Sequence, residues 1–248
     1  MNILMYSGGK DSTATVILCY LNKIPIDLIL MCEVMFDENT SAENPEHIKF
    51  VKEVAFPLFE SWGYKTKIIR DKKTFVDMFY RVKIRGKNVG TIYGFPIPNR
   101  CFANVYLKVR PIDQYLKGKE YTSFEGIAYD EPKRLVRMKK MRPQAISILE
   151  QYKYTANMCY HLCNEYGLLS PIYQIGNRNG CFFCPNMNMN DMRILRKNHN
   201  ELWLELLKLE EAPNKIYDSF GYGKKYSDYE RMFQTEDNQI TIFDILNN

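Results

Sequence analysis

The chain has 248 residues, enough for one large α/β domain or for one domain with a helical appendage. Its 46% hydrophobic and 25% charged residues are typical of a globular protein with a substantial core, which excludes a disordered chain. No apolar run approaches the roughly 20 residues that span a bilayer, and the first residues lack the basic region and cleavage site of a signal peptide. We therefore expect a cytoplasmic protein without membrane contact. The net charge of +5 is compatible with an anionic substrate or a nucleic acid but requires neither.

The amino-terminal half alternates between predicted strands and helices. Three apolar segments are predicted as buried parallel strands: residues 2–6, 27–36 and 65–70. Between them lie two helical patterns, residues 11–22 and 48–62, and Pro57 is expected to kink the second. We expect residues 122–130 to add a later strand. This order predicts an α/β fold with a doubly wound, mostly parallel sheet.

The carboxyl-terminal half is predicted to be mostly helical. Residues 83–104 are rich in Gly and Pro and are expected to form an excursion loop, and residues 174–186 form a second, Gly/Asn-rich interruption. One amphipathic helix is predicted from about residue 191 to 211, with Asn190 as a candidate N-cap. Residues 240–246 are expected to form a short strand or docking segment.

Two regions follow from this organisation. Residues 1–143 are predicted to form a nucleotide-binding α/β domain. Residues 144–248 are predicted to form a helical, cysteine-containing region with a tail, and we expect both regions to belong to one compact body.

The string SGGKDS at residues 7–12 joins the first predicted strand to the first predicted helix. Ligands of open parallel sheets collect at the carboxyl ends of strands, and the free N–H groups of a helix N-terminus favour phosphate. Glycines at Gly8 and Gly9 allow close backbone approach, the hydroxyls of Ser7 and Ser12 add donors, and Lys10 adds charge. The string therefore predicts a phosphate site.

Two common phosphate motifs are excluded at this position. A Walker A loop needs Gly where Leu4 stands and a hydroxyl residue where Asp11 stands, and the Rossmann G-x-G-x-x-G pattern is absent. A carboxylate at Asp11 would be repelled by a triphosphate unless Mg²⁺ lay between them. The alternative interpretation is a flexible strand–helix turn without a ligand.

Three of the seven cysteines predict a metal site. Without a secretory signal, reduced thiols or metal ligands are favoured over disulfides. Cys181 and Cys184 form a C-x-x-C pair followed by proline, and Cys101 can supply a third thiolate. Cysteine ligands suit both an iron–sulfur cluster and zinc, and a redox-active pair is a further alternative.

The other four cysteines have less specific positions. Cys159 and Cys163 lie four residues apart on one predicted helical face, and Cys163 is the better candidate for a fourth ligand. The alternative is that both are core residues, with the fourth position open to substrate or a sulfur species. Cys19 and Cys32 lie in an apolar helix and strand and are predicted as core.

The string at residues 7–12 resembles the PP-loop of the ATP-pyrophosphatase (adenine nucleotide alpha hydrolase) superfamily. Cys101 ahead of L-K-V-R-P-I, and G-C-F-F-C-P at residues 180–185, resemble the phosphoadenosine phosphosulfate (PAPS) reductase-like branch. Residues 126–135 resemble the stretch between them, with Ala128 where the branch commonly has arginine. The resemblance implies binding of ATP or a sulfonucleotide by the loop, with Lys10 and Asp11 as catalytic residues. It also implies an acidic nucleotide contact, Asp37, and a [4Fe-4S] cluster on the cysteines.

Two basic stretches, residues 81–87 and 133–142, are expected to contact nucleic acid or to be a solvated positive face. Arg134 or Lys108 may instead contact nucleotide phosphates. The three histidines, His47, His161 and His199, have no evident partners in the sequence and are predicted as surface or core residues.

These observations favour an adenylating enzyme over a reductase. True sulfonucleotide reductases use a cysteine near the C-terminus, whereas no cysteine follows Cys184. The main hypothesis is that ATP and Mg²⁺ adenylate a substrate, which sulfur then displaces, with tRNA or DNA as acceptor. A sulfur-donor protein and a second copy of the chain are possible partners. The alternatives are reductase-type chemistry with an external thiol, or a non-catalytic nucleotide-binding subunit of a DNA-modification or defence complex.

Overall fold

A parallel β-sheet organises the first part of the chain. The structure, a computed structural model, describes residues 1–98, 100–175, 180–217, 220 and 223–238. Its strands are β1 (Asn2–Tyr6), β2 (Leu28–Cys32), β3 (Thr66–Ile69), β4 (Ile92–Gly94), β5 (Thr122–Glu125), β6 (Ala145–Ile146) and β7 (Lys215–Tyr217). Five of them, in the order β3–β2–β1–β5–β6, form one sheet in which every neighbouring pair is parallel. The predicted α/β fold class is confirmed.

Helices follow most of the strands and make up most of the later chain, as predicted. They are α1 (Lys10–Leu21), α2 (Pro45–Phe50), α3 (Phe56–Ser61), α4 (Phe75–Phe79), α5 (Arg110–Leu116), α6 (Pro132–Met141), α7 (Ile148–Gln151), α8 (Ala156–Glu165), α9 (Ile172–Ile175), α10 (Met189–Asn198), α11 (Asn200–Glu210) and α12 (Tyr226–Asp237). Across the described part of the chain, none of these helices has the length and apolar character needed to cross a bilayer.

Alternating side chains of the central strands build a core on both faces of the sheet. Leu4 and Tyr6 of β1 pack with residues of α1, α3 and α8. Ile3 of β1 and Leu28 of β2 point to the other face and pack with Leu116 of α5. Because both faces are covered, β2 is buried along its whole length, which explains its uninterrupted apolar sequence.

The kink predicted at Pro57 takes the form of a π-helical segment, Val51–Ala55, directly before α3. A proline ring clashes with the carbonyl four residues earlier and provides no N–H for that carbonyl. A wider helical turn accommodates this clash. The same arrangement recurs where a π-helical segment, Asn104–Val109, precedes α5 and Pro111.

Several predicted boundaries are wrong. The second strand ends at Cys32 rather than at residue 36, because its pairing with β3 ends where Cys32 faces Ile69. The helix predicted over residues 191–211 is two helices, since His199 leaves the helical conformation (φ −137°, ψ 56°) and begins α11. The N-cap of α10 is Asn188, whose side chain accepts a hydrogen bond from the Asp191 amide, rather than Asn190.

The contacts divide the chain into two units, each formed by two separate segments. Unit 1 comprises Met1–Phe75 and Ala103–Cys181, and unit 2 comprises Val76–Phe102 and Phe182–Asn248. The boundary suggested after residue 143 falls inside unit 1. Residues 83–104, expected as a loop, contain β4, which pairs with β7 of unit 2. The tail segment predicted at residues 240–246 lies outside the described residues, as do residues 176–179.

Candidate nucleotide-binding site

The loop of residues 7–12 lies at the carboxyl end of β1, the central strand of the sheet. The chain leaves β1 towards β2 on one side, whereas β5 lies on the other, so the loop occupies a topological switch point. Gly9 is the N-cap of α1 and provides no side-chain cap. The first amide of α1 to bond within the helix is Thr13 N, which donates to Gly9 O at 3.0 Å. The preceding amides of the first turn can therefore be used by other acceptors.

The two serine hydroxyls fix the shape of the loop. The Ser7 amide donates to Ser12 Oγ at 3.3 Å, and the Ser12 hydroxyl donates to Gly9 O at 3.0 Å. The two hydroxyls lie 3.2 Å apart. Their contacts to each other and to the backbone fix the conformation of the loop at the start of α1.

Lys10 and Asp11 carry opposite charges at the rim of the loop. Lys10 Nζ lies 2.6 Å from Asp11 Oδ1, and both side chains are partly exposed, at 21% and 23%. Partial exposure leaves the ammonium accessible to an anion and the carboxylate accessible to a divalent cation. These are the two charges that a magnesium–triphosphate complex requires from a protein site.

Gly8 and a buried histidine support the loop from the side of α2. Gly8 has φ +74°, and a Cβ there would lie 2.5 Å from the His47 ring. His47 Nε2 lies 2.9 Å from Ser7 O and Nδ1 lies 2.9 Å from Ser170 Oγ. Because a carbonyl only accepts, Nε2 carries the hydrogen and Nδ1 accepts from the Ser170 hydroxyl. Burial lowers the pKa of His47 below its usual 6.5, which favours this neutral form.

Gly126 supports the opposite side of the loop. It follows β5 directly, and a Cβ there would lie 2.6 Å from Ser12 N and 2.7 Å from the carbonyl carbon of Asp11. Both atoms belong to the backbone and cannot move aside as a flexible side chain can. A glycine is therefore required for the end of β5 to approach the first turn of α1 this closely.

Tyr173 of α9 and Cys163 of α8 contact Lys10 through its backbone. The Lys10 amide donates to Tyr173 Oη at 3.0 Å, so this hydroxyl occupies one of the free donors of α1. Burial raises the pKa of Tyr173 to about 12, and the phenol remains protonated. The Cys163 thiol donates to Lys10 O at 3.2 Å, and burial raises its pKa to about 12.

Asp37 and Arg134 have local partners. Asp37 lies beyond the end of β2, and its Oδ1 accepts from Asn39 N at 2.9 Å and from Thr40 N at 2.7 Å. Arg134 lies in the first turn of α6, where its exposed guanidinium pairs with Glu131. A role for either side chain in nucleotide binding stays a prediction, since each would have to give up its present partner to contact a nucleotide.

Lys108, the other cation considered for phosphate, pairs with a buried carboxylate. Its Nζ lies 3.6 Å from Oε1 of Glu43, a residue that is 2% exposed. The negative charge of Glu43 raises the pKa of Lys108 and outweighs the effect of burial. Lys108 therefore serves here to neutralise Glu43.

The cysteines fall into two groups. Cys19 and Cys32 are buried, as predicted. Cys101, Cys181 and Cys184 are partly buried, and Cys181 forms an antiparallel bridge with Glu43. Among the described residues, no three His, Cys, Asp or Glu side chains form a group that could hold a metal ion. The metal centre thus stays a prediction based on residue type and spacing, and the core-like contacts of Cys163 favour the alternative of a core thiol.

Three residues of this site were missed by sequence reasoning. His47 was given no partner, and neither Tyr173 nor Gly126 was assigned a contact with the loop. Each lies far along the chain from residues 7–12, and no local spacing links it to them. For Gly126, the signal was a glycine directly after a predicted strand, which indicates close backbone approach.

Comparisons with known proteins give distant likenesses. No protein-family model matches the chain. The uncharacterized protein MJ0066 of Methanocaldococcus jannaschii is 26% identical in an alignment of 214 residues that covers 81% of this chain. The match covers only 39% of that relative, so the chain spans about two fifths of its length.

Two solved structures were also found. The U34-tRNA thiolase NcsA from Methanococcus maripaludis, with its [4Fe-4S] cluster, has 16% identity and a TM-score of 0.46, over 94% of this chain and 72% of that one. A predicted subunit of tRNA methyltransferase from M. jannaschii has 16% identity and a TM-score of 0.31, over 73% of this chain and 96% of that one. Both TM-scores are below 0.5, so neither likeness determines the fold or the function of this chain.

Proposed function

We propose that this chain is a PAPS reductase-like PP-loop enzyme that binds ATP and adenylates a substrate. The observation that carries the proposal is the string SGGKDS at the start of α1, at the switch point of a parallel sheet. Three features meet at this point. They are backbone amides of α1 without a partner inside the helix, the partly exposed Lys10, and the closely packed Gly8 and Gly126. This combination is suited to linked phosphate groups.

The proposed reaction is displacement at the α-phosphate of ATP. A substrate oxygen forms a bond to the α-phosphorus while the bond to the bridging oxygen breaks, and pyrophosphate leaves with the bond electrons. Lys10 and the amides of α1 stabilise the negative charge of the leaving group. Asp11 is placed to hold Mg²⁺, which supplies further charge neutralisation when bound. Asp37 and Arg134 are proposed as additional nucleotide contacts.

We further propose that sulfur displaces the adenylate and that the acceptor is a tRNA or DNA. Residue type and spacing support Cys101, Cys181 and Cys184 as ligands of an iron–sulfur cluster, with zinc as the alternative metal. Cys163 is the candidate fourth ligand. Because the described residues contain no assembled group of this kind, no reaction step is assigned to the metal.

The test is to incubate the protein with ATP, Mg²⁺ and candidate acceptors and to measure AMP and pyrophosphate. Lys10→Ala should lower the rate by about 100-fold, the order found when one transition-state donor is removed. Lys65→Ala removes the same charge from an exposed site at the start of β3 and should leave the rate unchanged.

Two results would contradict the proposal. One is the absence of AMP across a wide set of acceptors, together with no stabilisation of the protein by ATP and Mg²⁺. The other is tighter binding of adenosine phosphosulfate than of ATP, which would favour sulfonucleotide chemistry with an external thiol instead.

A further inference from the structure

Unit 2 contains a pocket of its own, with a volume of about 230 Å³. Its wall includes four aromatic side chains and two cationic ones: Tyr93, Phe95, Phe102, Tyr217, Lys83 and Arg100. Pockets for drug-sized ligands usually have about 300–1,000 Å³. The volume therefore suits a single ring system rather than a larger molecule.

The pairing of β4 with β7 builds this pocket. Gly94 pairs with Tyr217, which brings the strand of Tyr93 beside the strand of Tyr217. The rings of Tyr93 and Phe102 meet edge to face, with centroids 5.8 Å apart. Phe95, also part of the wall, is 2% exposed and packs against Tyr226 at 5.1 Å. The aromatic wall is thus anchored in the core of unit 2.

Among the residues that the structure describes, the charged side chains of the pocket wall are both positive. No acidic side chain of the described residues lines the pocket. Lys83 and Arg100 form hydrogen bonds through their backbone groups. Neither side chain forms an ion pair with the described residues. Two available cations beside aromatic rings favour a ligand that is both aromatic and anionic.

We propose that this pocket binds one unpaired nucleotide of a single-stranded nucleic acid. Aromatic side chains stack on bases without strict sequence preference, and a basic rim follows the phosphates of the strand. The role of that nucleotide as part of the acceptor rests on the proposed function, whereas its binding requires no ATP. RNA and DNA strands share this chemistry, and the experiment separates them.

The experiment measures the fluorescence anisotropy of a labelled single-stranded RNA with the full chain, in the absence of ATP. The same sequence as DNA and the RNA duplex serve as further probes, and unlabelled AMP and UMP serve as competitors. The wild-type chain should bind the single strands more tightly than the duplex. Tighter binding of RNA or of DNA identifies which strand the pocket prefers, and both results support the proposal.

A pair of double variants tests the cations. Lys83→Gln/Arg100→Gln should lower the affinity about 10-fold and reduce the slope of log affinity against log salt by about 1.4, as expected for two single-strand phosphate contacts. Lys72→Gln/Lys73→Gln removes the same charge from exposed positions that neither line the pocket nor belong to the two basic stretches. This control should change the affinity less than about twofold.

A pair of single variants tests the aromatic wall. Tyr217→Leu should lower the affinity about 10-fold through loss of base stacking. Tyr80→Leu makes the same change at a tyrosine of similar exposure, 47% against 43%, outside the pocket wall, and should have little effect.

Several outcomes would overturn the proposal. They are an absence of binding by the wild-type chain, equal affinity for duplex and single strand, and an equal loss of affinity in a variant and in its control. Displacement of the strand by AMP or UMP at oligonucleotide concentrations would assign the pocket to a free nucleotide instead. Failure of ATP-dependent AMP formation would leave these binding results unaffected, so the two proposals can fail separately.

Discussion

At the scale of single residues, the hydroxyl of Tyr173 holds the Lys10 amide, which the proposed function assigns to a phosphate. This amide donates to Tyr173 Oη at 3.0 Å. Tyr173→Phe leaves the amide without that acceptor, which should lower the free energy of unfolding by about 1 kcal/mol. A bound phosphate supplies a new acceptor, so ATP with Mg²⁺ should stabilise the variant more than it stabilises the wild type.

Urea unfolding with and without ATP and Mg²⁺ measures both effects. Tyr160→Phe is the matched control, because Tyr160 of α8 packs edge to face on Tyr173 and its hydroxyl forms no hydrogen bond with the described residues. Equal stabilisation of wild type and Tyr173→Phe by ATP would show that the Lys10 amide does not contact the nucleotide.

The sequence predicted the loop itself but not the residues that support it. Residues 7–12 form one continuous string, and their chemistry is readable from type and order alone. Tyr173 and Gly126 come to the loop from α9 and from the end of β5. Tertiary contacts of this kind leave no periodic pattern in a single sequence, so only the folded chain reveals them.

At the scale of elements, α2 holds the loop through a histidine whose protonation should affect stability. Burial lowers the pKa of His47 in the folded protein below its usual 6.5. Between the two pKa values the unfolded chain binds more protons, so the free energy of unfolding rises with pH. This stability is fully present above about pH 6.5 and is lost as the pH falls towards the pKa of the folded state.

Urea unfolding of the wild type and His47→Gln at several pH values between about 5 and 7 measures this slope. The variant should have a smaller slope, whereas His161→Gln, at an exposed position on α8, should keep that of the wild type. An unchanged slope in His47→Gln would mean that another group is responsible for the acid sensitivity.

Elements were predicted best where local pattern alone determines them. β1 and β3 lie where apolar segments were recognised, and α1 begins within one residue of its prediction. The second strand was predicted too long, because its apolar sequence continues after its pairing partner has ended. The break at His199 was missed because apolar residues keep their helical spacing across it, from Leu195 to Leu202 and Leu206.

At the scale of the whole molecule, the division into units could not be predicted. Unit 2 joins Val76–Phe102 with the chain from Phe182 onward, and its strands β4 and β7 pair although they are far apart in sequence. The sequence suggested one boundary, after residue 143, whereas the chain passes between the two units three times, and the pairing of β4 with β7 leaves no local signal in the sequence. The predicted fold class was unaffected, since it depends on the strands of unit 1.

The metal centre stays a prediction from residue type and spacing, and metal analysis of the full chain tests it. Anaerobically purified protein should contain iron and sulfide with broad visible absorption if Cys101, Cys181 and Cys184 hold a cluster, and zinc without such absorption if they hold zinc. Cys181→Ser and Cys184→Ser should each lose most of the metal. Cys19→Ala, at a buried position in α1, is the control and should keep it.

Cys163→Ser then distinguishes a fourth ligand from a core thiol. Cys163 is fully buried and donates to the Lys10 carbonyl, a bond that a serine hydroxyl can replace. If Cys163 is a core residue, Cys163→Ser should keep the metal content of the wild type and lose only a modest part of its stability. If the variant instead loses metal while Cys19→Ala retains it, Cys163 is a ligand and must give up its bond to Lys10 when metal binds. Wild-type protein with neither iron nor zinc after anaerobic purification would show that the metal prediction is wrong, and the adenylation proposed for residues 7–12 would then lack a metal-bound sulfur source on this chain.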